Sequence, residues 1–183
     1  MKQLTKSEKI SLGTKEIAKR IREQLKTEFK GCKFSVRSEY YSMGSSITVS
    51  LMKADRLIVR DFDKIPESSL FRYLDVYRTK EKLKELQEER YHQLNHFTLR
   101  EKYDSDYWCN GVFLTEEGHN LLKRVVEIAD YYNYDDSDMM TDYYSVNFSF
   151  NIHLGKWDKP FIDGGDLKAE PKNTDWSKEV FEF

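Results

Sequence analysis

The segment Ser145–Gly155, SVNFSFNIHLG, sets Val146, Phe148, Phe150, Ile152 and Leu154 in strict alternation with Asn147, Ser149, Asn151 and His153. Successive side chains of an extended chain leave on opposite sides. The period of two therefore predicts a strand with one large apolar face and one polar, nearly uncharged face. A lone strand of this kind is not stable, so it must pair at its edges and bury its apolar side. Two earlier segments supply partners. Lys33–Ser38 turns Phe34 and Val36 inward, and Ser46–Met52 turns Ile47, Val49 and Leu51 inward. Between them, Glu39–Ser45 carries Tyr40, Tyr41 and Gly44, and the glycine can take a positive φ to close a hairpin. The outward positions of the three strands make a face of Ser, Thr, Asn, Arg and His.

Helices are predicted on either side of the hairpin. Ile17, Ala18, Ile21, Leu25 and Phe29 share a face at helical spacing, which predicts a helix from Thr14, as N-cap, to about Lys30. Gly31 then suits the left-handed position after a helix end. Residues 1–13 read as a mobile arm or a short helical turn. Leu57–Val59 reads as loop or added strand, and Pro66 breaks the chain. Glu67–Tyr77 and Lys80–Tyr103 read as helical, with a charge density that suggests a projecting insertion. Thr115, followed by Glu116 and Glu117, starts a further helix that runs to about Tyr132. After Gly155 the chain reads as a tail wrapping the domain, pinned by Trp157, Phe161 and Trp176. The expected fold is α+β: a small antiparallel sheet of about three strands, helices packed on one face, and a helical insertion. One domain spans 1–183, divided as arm 1–13, helix plus hairpin 14–62, insertion 63–111, helix plus last strand 112–155, and tail 156–183.

Composition excludes several classes. A net charge of −2 over 183 residues advertises neither nucleic acid nor membrane for the chain as a whole. An aromatic content of 14% is too rich for a disordered chain and suits a dense core. Cys32 and Cys109 stand in no metal spacing and read as reduced thiols. No segment is apolar enough to span a bilayer, and MKQLTKSEK has no apolar run of a secretory signal, so a soluble, intracellular protein is expected.

Catalytic patterns are absent: there is no G-x-S-x-G, no glycine-rich phosphate loop, and no Cys with an obvious His and acid. His92 and His96 would share a face on a helix, but no third ligand stands at a telling spacing, so no metal and no cofactor is expected. Asp135, Asp136, Asp138 and Asp142 fail as a calcium loop, because the sixth position from Asp136 is Thr141 and the twelfth is Asn147. They read as a solvated acidic loop, or as acids imitating phosphates to a basic partner. The clearest signal is electrostatic. Residues 1–37 hold eleven Lys or Arg against four Glu, and Lys15, Lys19, Arg22, Lys26 and Lys30 form a stripe on the first helix. Such a stripe attracts phosphates, and Arg37, Tyr40 and Tyr41 beside it can stack on bases. A basic front and an acidic loop make the molecule bipolar, which suits docking on a charged partner.

Two segments carry a family resemblance. KFSVRSEYYSMGSSITVSL (Lys33–Leu51) and YDDSDMMTDYYSVNFSFNIHLGKWDKPF (Tyr134–Phe161) together resemble the large polyvalent protein-associated domain numbered twenty-nine. The matching parts are KFSVRS, the Gly turn with SITVS, then DDSD, TDY and the last strand. The resemblance implies a protein of phages, plasmids or integrative elements, similar to type II-A anti-CRISPR proteins. It would act in the bacterial cytoplasm without catalysis, by binding a Cas9-type nuclease or its guide RNA complex and blocking target DNA handling. The other reading is a nucleic-acid-binding accessory module of a phage or plasmid, using the first helix and Arg37.

Overall fold

The computed structural model describes residues 4–71, 73, 79–106, 108–137, 140 and 145–165. The fold is α+β. Helix α1 (Lys6–Glu28) leads into strands β1 (Lys33–Tyr41) and β2 (Gly44–Lys53). A 3-10 turn (Phe62–Lys64) and the short helices α2 (Glu67–Phe71) and α3 (Lys80–Glu88) precede β3 (His92–Leu94) and α4 (His96–Arg100). A small hairpin of β4 (Trp108–Cys109) and β5 (Val112–Phe113) follows, then α5 (Glu116–Tyr132) and β6 (Ser149–Leu154).

The main sheet has four strands in the order β1-β2-β6-β3. The two outer pairings are antiparallel, but β2 and β6 run parallel, Ile47 beside Phe150 and Leu51 beside Leu154. The expected all-antiparallel sheet is thus corrected to a mixed one. The reason is the crossover: α5 carries the chain back across the sheet, so β6 starts at the same end as β2. The inner face holds Val36, Ile47, Val49, Leu51, Phe150, Ile152 and Leu154, all buried, under Ile17, Ile21 and Leu25 of α1 and Leu122, Val125 and Ile128 of α5. Each such aliphatic side chain contributes about 1.5–3 kcal/mol on burial. Arg124 ties the two helices together, its Nε donating to Glu28 Oε1 at 2.6 Å.

The stretch read as one helix over Lys80–Tyr103 divides instead into α3, β3 and α4. β3 docks on the open edge of β6, where it satisfies the backbone groups of Ile152–Leu154 and buries His92 and Leu94. The described residues of the segment pack into the domain. Leu83, Leu94, Leu99 and Phe113 are buried, and Phe62, Ile65, Leu70, Leu83, Trp108 and Phe113 form a second core cluster. Gln87 ties α3 to it, donating to the Arg60 carbonyl and accepting from Phe113 N–H. The helix expected over Glu67–Tyr77 is described only as Glu67–Phe71. Leu57–Val59 is loop, with a single antiparallel bridge from Val59 to Leu114.

Smaller corrections follow from contacts that spacing alone does not reveal. Gly31 does not take a left-handed φ; it is small because a Cβ there would lie 2.1 Å from the Asp55 carboxylate. Residues 6–12 are helical, capped by Thr5 with Glu8 in a capping box, and the break falls at Gly13 (φ 66°, ψ 150°). Val146 lies before β6 and is exposed, whereas Phe148 is buried. In the tail, Phe161 is buried but Trp157 is 86% exposed and pins nothing. The buried Asp163 holds the tail instead, accepting from the N–H groups of Ile58 and Val59 at 3.0 and 2.9 Å. Trp176 lies outside the described residues.

Candidate partner-binding surface

The break at Gly13 sets up the site. A φ of 66° is costly for any residue with a Cβ, so glycine serves here. The N–H groups just past a helix break lack partners on the preceding turn. One of them, Lys15 N–H, donates to the Tyr40 hydroxyl at 3.2 Å, and the Thr14 hydroxyl meets Ser45 Oγ at 2.6 Å. Helix α1 is thereby moored beside β1. Further along, Arg22 Nη2 donates to the Val36 carbonyl at 2.7 Å. An open groove of about 550 Å³ lies between helix and strand, its polar lining Lys15, Glu16, Lys19, Arg22, Ser38 and Tyr40, with Glu16 paired to Arg20.

The structure therefore brings Lys15, Lys19, Arg22 and Tyr40 together. Lys26 is exposed further along the helix, and Lys30 is exposed just beyond its end. Arg37 and Tyr41 point to the opposite side of β1. Tyr41 crosses the outer sheet face, its hydroxyl 3.2 Å from Ser149 Oγ, while Tyr40 is 65% exposed at the groove. Lys156 has no role that its sequence setting suggests, yet it lies close to Arg37. Burial holds its amine below the usual value, and the Arg37 charge pushes the same way.

Pairing sets this rim apart from part of the remaining surface. Lys6, Arg20, Arg56, Lys64, Lys80, Lys82, Lys84, Arg100 and Arg124 each have an acid in ion-pair range. Among the described residues, no acid pairs with Lys15, Lys19, Arg22, Lys26, Lys30 or Arg37. The acids read as the opposite pole sit at the turn from α5 to β6. Asp136 pairs with Lys6, whose ammonium also lies over the Tyr134 ring. Asp135 accepts from Ser137 N–H, and Ser137's hydrogen bonds hold its carboxyl below the usual carboxylate range. Asp138 and Asp142 lie outside the described residues.

The histidine pair does not form. His92 is buried on β3 and His96 opens α4, so they share no helical face. Among the described residues no group of three His, Cys, Asp or Glu could hold a metal ion. Cys32 and Cys109 are free thiols, and burial pushes both upward, away from the reactive thiolate. Among the described residues no helix is long and apolar enough to cross a membrane.

The family model of the large polyvalent protein associated domain 29 matches residues 12–117, more than half of the chain. The chain belongs to that family. The match begins beside the Gly13 break and takes in the basic stripe, the whole hairpin and the segment through β5 to the start of α5. The polyvalent-protein domain thus contains every cation of the rim apart from Lys156. It stops before Tyr134–Phe161, so the acidic turn and β6 lie outside the matched part. No curated protein and no solved structure matches the chain.

Proposed function

We propose that this chain is a counter-defence protein of a mobile element that works by binding. Its target is a Cas9-type CRISPR nuclease or that nuclease's guide complex, and its effect is to block the handling of target DNA. Membership of a polyvalent-protein family supports the mobile-element setting. The observation that carries the docking role is the group of Lys15, Lys19 and Arg22 at the groove, with Lys26 and Lys30 beyond it, none with an acid partner among the described residues. An uncompensated row costs self-repulsion in the free protein and is relieved by a partner of opposite charge. The test is a reconstituted cleavage reaction with Cas9, guide RNA and target duplex. Near-equimolar protein is expected to stop cleavage and to be retained by the nuclease in a pull-down. Unchanged cleavage at large excess, with no retention with or without guide RNA, overturns the reading.

The exposed Tyr40 ring beside Lys15, Lys19 and Arg22 favours a second reading, a nucleic-acid-binding accessory module that takes phosphates and a stacked base directly. It predicts binding to bare DNA or RNA that weakens steeply as salt rises. A mobility-shift experiment without a shifted band at low salt removes it.

A further inference from the structure

The rim holds more than charge. β1 stands at one end of the sheet and pairs with β2 alone, which leaves its other edge without a strand. In an antiparallel pair, alternate residues turn their N–H and C=O groups away from the partner. The Val36 carbonyl fixes the parity, because it accepts from Arg22 on the open side. Phe34, Ser38 and Tyr40 share that parity. The far side of β2 agrees: Leu51, opposite Phe34, gives its carbonyl to Gly155 N–H across the β6 side. Among the described residues nothing pairs with the Ser38 N–H or C=O. The groove between this edge and α1 gives room for the side chains of an added strand. Cations flank the edge on both sides, Lys15, Lys19 and Arg22 towards the helix and Arg37 towards the outer face.

We propose that β1 accepts, as a fifth strand, an extended acidic segment of a partner protein. Alternate side chains of such a strand point to opposite faces, so the carboxylates of an alternating acidic segment share one face and meet Lys15, Lys19 and Arg22 there. Two other occupants fit less well. A second copy would bring its own Lys15, Lys19, Arg22 and Arg37 against these, and like charges guard an edge from self-pairing. A nucleic acid could meet the edge N–H groups with phosphate, but the edge also presents carbonyl oxygens, which a phosphate cannot satisfy. A peptide strand offers both donors and acceptors at the right period.

This inference rests on the rim being a docking surface, and it names the partner's element without depending on the nuclease. The probe is a short peptide of alternating Glu and Val, followed by amide hydrogen exchange of the full chain. Exchange at Val36 and Ser38 is expected to slow by about tenfold or more when the peptide is bound. The same peptide N-methylated at alternate residues, and a Lys–Val counterpart, are expected not to bind. Ser38→Pro removes an outward N–H without touching the β2 ladder, and it should weaken capture by about tenfold. Lys19→Glu should weaken it while leaving the fold intact. Equal binding of the N-methylated peptide shows attraction by charge alone and overturns the proposal. So does unchanged exchange at Val36 and Ser38, protection of these amides before any peptide is added, or a dimer in sedimentation. An oligothymidine that fills the groove where the acidic peptide does not overturns it in favour of nucleic acid. Peptide capture without Cas9 inhibition removes the nuclease and keeps the strand; Cas9 inhibition without peptide capture does the reverse.

Discussion

Helix α1 carries cations on both sides of the Gly13 break, and the two groups have different work. Before the break, Lys6 pairs with Asp136 and covers the Tyr134 ring, and Lys9 Nζ donates to the Asn133 carbonyl at 2.5 Å. These bonds fasten the start of the helix to the turn between α5 and β6. After the break, Lys15, Lys19, Arg22 and Lys26 meet no acid among the described residues. The family boundary follows the same division, since the match starts at Leu12 and ends before the acidic turn. The segment ahead of the domain and the turn behind it are thus joined to each other, while the lysines of α1 after the break stay unpaired among the described residues and only Arg20 there meets an acid, Glu16. Counting charges would treat both groups alike; only their pairing tells them apart.

The largest expected effect tests this division directly. Replacing Lys15, Lys19 and Lys26 by Glu should weaken partner binding by about a hundredfold, taking about 1 kcal/mol for each lysine replaced. The melting temperature should stay within about 2 °C, because none of the three has an internal acid partner to lose. Lys6→Glu with Lys9→Glu should do the opposite, lowering the melting temperature and leaving binding within about threefold. Titration against the partner, with thermal denaturation of each variant, reads both. If the two pairs of results change places, the division at Gly13 is wrong.

A smaller effect distinguishes the two tyrosines. Tyr40→Ala should weaken binding by about tenfold, since an exposed ring beside cations is a ready anchor for a partner. Tyr40→Phe keeps the ring and leaves the exposed Lys15 N–H to water, so it should cost about 0.5 kcal/mol of stability and little affinity. Tyr41→Ala, on the other face, should leave affinity near that of the parent. Smaller again is Asp136→Lys. It breaks an exposed ion pair and puts two ammonium groups side by side, for about 0.5–1 kcal/mol and a melting shift of about 1–4 °C. An unchanged melting temperature would mean that Lys6 does not hold the turn.

Much of the fold is legible in the sequence because period two is written strongly in β1, β2 and β6, and period 3.6 in α1 and α5. Direction is not legible from alternation, which is the same in parallel and antiparallel strands. The available signal is a long helix, α5, standing between β2 and β6 in chain order, as in a crossover unit. His92–Leu94 hides inside a helical pattern because its three residues are too few to show a period; the open edge of β6 decides it. At the site, helical spacing correctly groups Lys15, Lys19 and Arg22. It cannot show that Tyr40 and Tyr41, adjacent in sequence, must part to opposite faces once β1 is a strand, although that too follows from the period of two. Gly13 inside an amphipathic run is a visible sign of a break. Lys156 gives no sign, since only the fold brings it to Arg37.

The smallest effect comes from pH, and it separates stability from binding. Burial pushes His92, His96, His119 and His153 below the usual histidine value; the Arg100 charge assists at His96. The native state therefore favours the neutral ring, and the unfolded chain binds more protons below a pH of about 6.5. The stability these rings contribute is complete above that value and drains as pH falls through the lower native values. The melting temperature should decline steadily from about pH 7.5 towards about 5.5, and the urea midpoint with it. None of the four rings belongs to the rim, and lysine and arginine keep their charge throughout this window. Partner affinity should therefore stay level wherever circular dichroism shows the protein folded. An affinity that changes in this window while the fold persists would bring a histidine into the binding surface and join what the Gly13 break divides.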